Sequence, residues 1–329
     1  MWKLKKIYLQ KKPFYIVNNL IKYLLYLFLS FSCTSQAQKN DDLIFFESRL
    51  QTLTNKILTE NSDSLKYEAN KLLKEDIEEI MDLALAFELI HTATLIHDDI
   101  NDAAKLRRGV TTLHERIGQP KAIIAGDWLF VQGYGLSGRY TKKCIDLIRE
   151  ACANIAVSEF KQLDHVLDLS TSPEDYLHIV QGKTAGPFAA VCESAAIIAG
   201  ATKEQSDALG RFGMQLGIAF QLMDDLLDLR GDERMGKPRG KDVIEGKMTL
   251  PLIHALTLLH GKHRQRLSEI LNNFSDSLWD ELMGLLDTSD SIHYSECLMY
   301  THLERAIQEL DFLPETSSKK LLLNIVENM

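Results

Sequence analysis

Glycine is missing from the first third of this sequence, because none of its 18 glycines occurs before Gly109. Proline is also absent between residues 40 and 108. These two residues most often interrupt helices, so their absence favours long helices in this region. Apolar residues recur at three- and four-residue steps over 41–60 and 64–95, with charges on the opposite face. The pattern predicts one helix over each range.

Several other features are absent, and each absence excludes a class of protein. The five cysteines form no CxxC pair, so the sequence provides neither a zinc ligand set nor a disulfide framework. A net charge of −9 argues against a nucleic-acid-binding protein, which would carry a basic face. A P-loop around Lys183 would need glycine at position 177, where Leu177 stands. Long runs of alternating apolar and polar residues are missing, which gives strands little support.

After Gly109, helical stretches alternate with short breaker segments. The segment TSPED at 171–175 is typical of a helix start, with Pro173 at the first helical position and acids in the first turn. No repeat of 20–50 residues is visible. We therefore predict that residues 41–329 form one all-α domain with ten or more helices.

Residues 1–40 form a hydrophobic and basic N-terminal extension. Lysines crowd residues 3–12, and the charge-free apolar run 23–33 is shorter than the roughly 20 residues that span a bilayer. Such a run suits a signal-type segment. We expect either targeting or membrane attachment through residues 1–33, or a merely hydrophobic tail or mis-assigned start. The compartment is therefore left open: the domain is cytoplasmic, or it is directed to an organelle or membrane by this segment.

Three aspartates stand close together in LIHDDINDAAKLRRG, residues 95–109. Asp98 and Asp102 are four residues apart and share one face of the predicted helix, while Asp99 lies one step round. Ionised carboxylates this close repel one another unless a cation joins them. Mg²⁺ prefers oxygen ligands and often shares them with substrate phosphates. The stretch therefore predicts a Mg²⁺ site, with an acidic helix end at the surface as the alternative.

A second cluster repeats this spacing in FQLMDDLLD, residues 220–228. Asp224, Asp225 and Asp228 are flanked there by apolar residues, which are poor surroundings for surface acids. We expect the two clusters to lie on separate helices that face each other across a cavity. Together they would hold several Mg²⁺ ions with a diphosphate between them.

Basic residues lie near both clusters. Arginine binds phosphate through two parallel hydrogen bonds, and lysine supplies a point charge. A solvated surface position is the alternative for any single lysine. The candidates for diphosphate binding are Arg107, Arg108, Lys183, Lys237 and Lys247.

These motifs resemble those of the trans-isoprenyl diphosphate synthases, the polyprenyl synthetase family. The resemblance is close over residues 80–255 and loose over the C-terminal third. It implies an all-α, isoprenoid-synthase-type helical bundle around a central cavity. It also implies a homodimer, and a heteromer with a second synthase subunit stays open. The matching segments are DDINDAAKLRRG at 98–109, GDWL at 126–129, GKTAG at 182–186, FQLMDDLLD at 220–228 and GKPRGKDVIEGKMTLP at 236–251.

The resemblance further implies Mg²⁺-dependent head-to-tail condensation of isopentenyl diphosphate with an allylic diphosphate. Mg²⁺ held by Asp98, Asp102 and Asp224 would draw the diphosphate off the allylic carbon. The departing negative charge would be neutralised by three of the cations. The released diphosphate would take the proton, so no side-chain base is required. Those three cations are Arg107, Lys183 and Lys237.

Further roles follow from the resemblance by position. The allylic cation would rest near the Thr184 hydroxyl and the Gln221 amide. His91 and Arg108 would contact isopentenyl diphosphate. No nucleophilic triad is recognisable elsewhere in the sequence, which agrees with a reaction that needs no covalent intermediate.

Product length is predicted from helical geometry. The allylic chain should run along the helix that carries Asp98, and Thr94 and Ala93 lie about one turn before that residue. Both are small, while Ile90 and Phe87 are the next bulky candidates. We expect a medium- or long-chain product, with ordinary core positions as the alternative.

One part of the family pattern is missing. Members usually carry a Gly-Gly-Lys-Arg segment about 40 residues before the first aspartate cluster, and this chain has no glycine there. Lys71 and Lys74 are nearby in an unmatched context, and no role is assigned to them. The alternatives are a deletion in the gene model, a non-catalytic or partner-dependent synthase subunit, and a terpene cyclase-like ionisation of an allylic diphosphate without condensation.

Overall fold

A computed structural model describes most of the chain. Only the backbone is described at residues 63–79, 317 and 318. The N-terminal extension 1–40 and the predicted helix 41–60 lie outside the described residues. The described ranges are 63–107, 109–231, 239–313, 315 and 317–329.

The described residues fall into two compact units. The first unit ends at Arg139 and includes the short segment Ile198–Ala201. The prediction of a single domain over 41–329 stays a prediction. The first unit contains helix α1 (Asp63–Asn101), the hairpin strands β1 (Leu106–Arg107) and β2 (Val110–Thr111), helix α2 (Leu113–Ile117) and helix α3 (Gln119–Ser137).

Helix α1 is a single unbroken helix of 39 residues, which confirms the helix predicted over 64–95. Its apolar side chains Phe87, Ile90 and Ala93 are buried. By length and composition, its segment Ile80–Asn101 also meets the requirements for a membrane span. A helix in the core of a protein outside a membrane also buries such side chains.

Helix α3 packs closely against α1, and Gly133 permits the contact. A Cβ atom at this position would lie 2.8 Å from the Ala86 carbonyl oxygen and 2.9 Å from Ile90 Cγ1. Both distances are too short for a side chain. The absence of a Cβ therefore sets how closely the two helices approach.

The second unit comprises residues 140–197 and 202–329. In chain order its described residues contain ten α-helices, a five-residue π-helical turn (Gln181–Ala185) and a short 3₁₀ turn (Asp276–Leu278). The helices are α4 (Lys142–Asp164), α5 (Pro173–Val180), α6 (Gly186–Ile198), α7 (Lys203–Arg230), α8 (Lys241–Ile244), α9 (Leu250–Leu258), α10 (Gly261–Asn272), α11 (Trp279–Thr288), α12 (Ser291–Gln308) and α13 (Ser317–Glu327). With α13 included, the described helices of this unit number ten.

Helix α7 forms the centre of the second unit. Its side chains Phe212, Leu216 and Leu222 are fully buried, and α12 packs along it with a hydrogen bond between His302 Nδ1 and Gln215 Oε1 of 2.7 Å. A helix that is apolar on most of its circumference is expected to be surrounded by other helices. The second aspartate cluster lies near the end of this buried helix.

The start of α5 is fixed by local sequence. The Ser172 hydroxyl accepts a hydrogen bond from the Asp175 backbone N–H, and the Asp175 carboxylate accepts one from the Ser172 backbone N–H. This reciprocal capping box satisfies two backbone donors at the helix end. Pro173 occupies the first helical turn. The predicted helix start at TSPED is confirmed.

Candidate active site

The first aspartate cluster lies at the end of α1, within the first unit. The backbone N–H of Asp102 donates to the Asp98 carbonyl oxygen at 2.8 Å. This i to i+4 hydrogen bond continues the helical geometry to Asp102, so these two carboxylates lie on one face, as predicted. The chain then leaves the helix at Ala103, whose φ of 48° is left-handed.

Asp99 is the middle acid of this cluster and does not share that face. Its side chain is only 8% exposed, and Arg107 Nε donates to Asp99 Oδ1 at 2.7 Å. Arg107 belongs to strand β1, so the ion pair ties the hairpin to the end of α1. Asp99 is therefore already bound by the protein. The sequence pattern set it one step round from the other two acids but gave no sign of this partner.

The remaining predicted residues of this unit lie on α1 or beside it. Thr94 is partly buried and its hydroxyl donates to the His91 carbonyl oxygen at 2.8 Å, while Ala93 is fully buried. His91 lies two turns before Asp98 on the same helix. Arg108 is outside the described residues. The roles predicted for these residues stay predictions.

The second cluster lies near the C-terminal end of α7, and its middle acid is again buried. Asp225 is 3% exposed. Tyr176 Oη donates to Asp225 Oδ2 at 2.6 Å, and Gln221 Nε2 donates to Asp225 Oδ1 at 2.9 Å. Burial raises the pKa of Asp225 well above its ordinary value, and these two hydrogen bonds oppose the shift. Burial also raises the pKa of Tyr176, so the phenol keeps its proton.

The last acid of the second cluster, Asp228, organises the segment that follows. Its two carboxylate oxygens accept hydrogen bonds from the backbone N–H groups of Lys241 and Asp242, each at 3.1 Å. The Asp228 carbonyl oxygen accepts from the Gly240 N–H at 2.9 Å. Asp228 thus satisfies backbone donors at the start of α8. Lys237 precedes this segment and lies outside the described residues.

A cavity of about 140 Å³ in the second unit is lined by several of the predicted site residues of that unit. Burial, and then the neighbouring Asp228, raise the pKa of Asp242 to about 7. Lys247 Nζ lies 2.7 Å from Glu245 Oε2 and 3.9 Å from Asp242 Oδ1. The lining includes Gln162, Tyr176, Lys183, Thr184, Gln221, Asp224, Asp225, Asp242, Lys247 and Thr249.

Lys183 and Thr184 stand on the π-helical turn, which packs between α4 and α7. A Cβ atom at Gly182 would lie 2.0 Å from Ser158 Oγ of α4, and one at Gly217 of α7 would lie 2.5 Å from Ala185 Cα. Two glycines therefore allow the turn to touch both helices. Single π-helical turns of this kind are frequent at functional sites.

The π-helical turn points its two polar side chains in different directions. Lys183 Nζ lies 2.5 Å from Glu159 Oε2 and donates to Gln162 Oε1 at 2.8 Å, both on α4. Thr184 Oγ1 donates to Gln221 Oε1 of α7 at 2.8 Å. Thr184, Gln221 and Asp225 are thus joined in one hydrogen-bonded chain.

Sequence reasoning missed four residues at this site. The spacing of the acids in the two clusters indicated a site. These four residues are isolated in sequence and reach the cavity only through tertiary packing. The GKD triplet containing one of them was the only local signal. The four residues are Glu159, Gln162, Tyr176 and Asp242.

The acids present suit Mg²⁺. Among the described residues, no group of three or more His, Cys, Asp or Glu side chains is close enough to hold an ion by itself. Mg²⁺ is commonly bound through one or two carboxylates, water and substrate phosphate. Asp98 and Asp102 form such a pair on α1, and Asp224 lines the cavity of the second unit. That the two clusters share one diphosphate stays a prediction.

Comparison with known proteins shows which family the sequence resembles. The family model for polyprenyl synthetase matches residues 53–282. A short chain isoprenyl diphosphate synthase from Methanothermobacter thermautotrophicus is 33% identical over 251 residues, 74% of this chain and 77% of that protein. An octaprenyl diphosphate synthase from Escherichia coli is 33% identical over 248 residues, 74% of this chain and 76% of that protein.

The fold also matches a solved structure. A polyprenyl synthase from Caulobacter crescentus, in a crystal structure complexed with calcium and isoprenyl diphosphate, superposes with a TM-score of 0.71 at 33% identity. The match covers 76% of this chain and 77% of that one. The all-α fold of the isoprenoid synthases, predicted from sequence, is confirmed.

Proposed function

The chain belongs to the polyprenyl synthetase family, and from this membership we propose that it elongates an allylic diphosphate with isopentenyl diphosphate. It is a prenyltransferase, and its product is a medium- or long-chain polyprenyl diphosphate. The observation that carries the proposal is the hydrogen-bonded chain from Thr184 through Gln221 to Asp225 beside Asp224, in a cavity that Lys183 and Lys247 also line. This combination brings acids, cations and a neutral hydroxyl to one place.

The family uses Mg²⁺, and the acids differ in how they would hold it. We assign direct metal contact to Asp98, Asp102 and Asp224, in keeping with three ions per site. Asp99, Asp225 and Asp228 were also predicted to bind metal, and each accepts hydrogen bonds from protein donors. Because Asp99 and Asp225 are buried and Asp228 binds the backbone at the start of α8, we assign these three to orienting Asp98, Asp102 and Asp224. Bound Mg²⁺ supplies positive charge that stabilises the departing diphosphate.

The cations of this chain complete the diphosphate site. Lys183 and Lys247 line the cavity and are held by Glu159 and Glu245 respectively. When diphosphate enters, these lysines can exchange a carboxylate partner for phosphate oxygens, which carry more charge. Arg107 and Lys237 are proposed to bind the same group, and His91 with Arg108 the isopentenyl diphosphate.

The reaction then needs few further groups. The allylic carbon–oxygen bond breaks with its electron pair on the diphosphate, and the alkene of isopentenyl diphosphate forms the new carbon–carbon bond. The proton lost in that step passes to the released diphosphate. Thr184 and Gln221 place oxygen atoms beside the allylic cation, where electron pairs are stabilising.

A product assay tests this function. Purified protein, Mg²⁺, farnesyl or geranylgeranyl diphosphate and labelled isopentenyl diphosphate should yield longer labelled chains on chromatography. Asp224→Asn should abolish the product, and Asp287→Asn on α11, outside the residues that line the cavity, is the matched control. Diphosphate release without elongation would refute condensation in favour of a cyclase-like ionisation.

A second candidate function rests on the sequence before the first aspartate cluster. No glycine occurs before Gly109, so the Gly-Gly-Lys-Arg segment expected about 40 residues before Asp98 is missing. A subunit that takes its isopentenyl diphosphate contacts from a partner synthase would lack this segment. Elongation that appears only after adding a second synthase subunit would support it. Activity of the isolated chain would rule it out.

A homodimer is proposed on the exposed apolar face of α3. Ile124, Trp128 and Val131 lie on one side of that helix and are 66%, 60% and 65% exposed. Contiguous exposed apolar groups of this kind commonly mark protein interfaces. Light scattering should give the mass of two chains, and Trp128→Glu should shift it to one. Membrane association through residues 1–33 stays a prediction.

A further inference from the structure

The hydrogen-bonded chain at the second cluster has a defined direction. A side-chain amide donates through its NH₂ and accepts through its oxygen. Asp225 accepts the Tyr176 hydroxyl at Oδ2 and the Gln221 NH₂ at Oδ1. Gln221 therefore faces Asp225 with its NH₂.

The orientation of Gln221 determines that of Thr184. With its NH₂ on Asp225, the amide presents its oxygen to Thr184, and the Thr184 hydroxyl donates to it at 2.8 Å. A hydroxyl has a single proton. Once that proton is engaged, Thr184 can offer only its oxygen electron pairs to anything in the cavity it lines.

Tyr176 stands at the far end of this chain and outside the Thr184 contact. It lies on α5, is 5% exposed, and reaches Asp225 across 49 residues of sequence. Without the phenol, Asp225 Oδ2 loses a donor that fixes the carboxylate plane. The carboxylate can then rotate, and the Gln221 amide loses the partner that distinguishes its two ends.

We propose that Tyr176 is a positioning residue that, through Asp225 and Gln221, holds the Thr184 oxygen electron pairs toward the allylic carbon. This inference rests on the proposed function, because it assigns Thr184 a role in stabilising the allylic cation. In this role Tyr176 acts through Asp225 and not on the substrate itself. Its effect should therefore fall on the chemical step and vanish when Thr184 has no hydroxyl.

A double-mutant cycle tests this coupling. Tyr176→Phe removes one oxygen atom and should lower the single-turnover rate about tenfold, the equivalent of about 1.4 kcal/mol. The KM values of both diphosphates should change less than twofold. In a Thr184→Val background, Tyr176→Phe should change the rate less than twofold. Tyr300→Phe is the control, because Tyr300 is 60% exposed on α12, and its rate should equal that of the wild type.

A merely structural role for Tyr176 gives a different result. An equal tenfold loss in both Thr184 backgrounds, or no loss at all, would overturn the inference. Should Tyr176→Phe fail to fold by circular dichroism, Asp225→Asn replaces it in the same cycle, since an Asn side chain has one acceptor oxygen for the two donors, Tyr176 and Gln221. A wild-type protein that forms no elongated product would refute the proposed function itself, independently of the cycle.

Discussion

The ion pair between Asp99 and Arg107 should hold the hairpin to α1, and replacing Arg107 with Met tests this. The change removes the guanidinium and keeps most of the apolar stem. Asp99 is 8% exposed, so its carboxylate would be left buried beside an apolar side chain. We expect Arg107→Met to destabilise the first unit in the absence of Mg²⁺ and substrate, where no diphosphate contact contributes.

The magnitude follows from the burial of the two partners. Removing one partner of a fully buried ion pair costs about 3–5 kcal/mol. Arg107 is 33% exposed, so water screens part of the interaction, and about 2–3 kcal/mol is expected. Such a loss lowers the melting temperature by roughly 5–10 °C for a unit of this size.

Thermal unfolding followed by circular dichroism measures the global effect, and hydrogen exchange of the amides at 106–111 measures the local one. Lys105→Met is the matched control, because Lys105 precedes the same hairpin with an exposed side chain, and it should change the melting temperature by about 1 °C or less. Equal melting temperatures for both variants, with unchanged exchange at the hairpin, would show that the ion pair does not stabilise the unit.

Three further predictions concern packing, pH and product length. Gly133→Ala should cost about 1–3 kcal/mol because its Cβ meets α1, whereas Gly135→Ala, with no atom within 4 Å, should not lower the melting temperature. The pKa of Asp242 is raised to about 7, so the folded state retains a proton that the unfolded chain has lost. Without Mg²⁺, the free energy of unfolding should therefore fall as pH rises from about 4 to about 7 and level off above that range, and Asp242→Asn should flatten that fall; parallel pH curves would contradict this. Thr94→Phe and Ala93→Phe should shorten the product on chromatography, and Ala93→Phe should also lower stability because that site is fully buried; unchanged chain lengths would exclude both positions from the product channel.

Local patterns predicted the elements that depend on neighbouring residues. The helical period over 64–95 and the capping signals at Pro173 both gave the observed elements. The all-α fold also followed, because the absence of alternating runs left little room for strands. The two-residue strands of the hairpin are too short to produce a period in the sequence.

Contacts between distant residues were not predictable in the same way. The spacing within the two clusters located six acids in total. It gave no sign that Asp99 and Asp225 are buried and bound by protein donors. Those donors come from a hairpin and from a helix 49 residues away. The backbone contacts of Asp228 depend on the chain returning to it at residue 240. Such pairings arise from packing, which leaves no period in the sequence.

The burial of the middle aspartates implies that the positions of a DDxxD motif experience different selection. At Asp99 and Asp225 the protein donors lie at fixed distances, so side-chain length limits which substitutions are tolerated. Glu should therefore be rarer than Asn at these positions among functional variants. At Asp98 and Asp224, for which we propose metal contact, substitution would be limited by charge, and Glu should outnumber Asn. A saturation library under selection for growth would therefore distinguish Asp99 and Asp225 from Asp98 and Asp224 by which substitution survives.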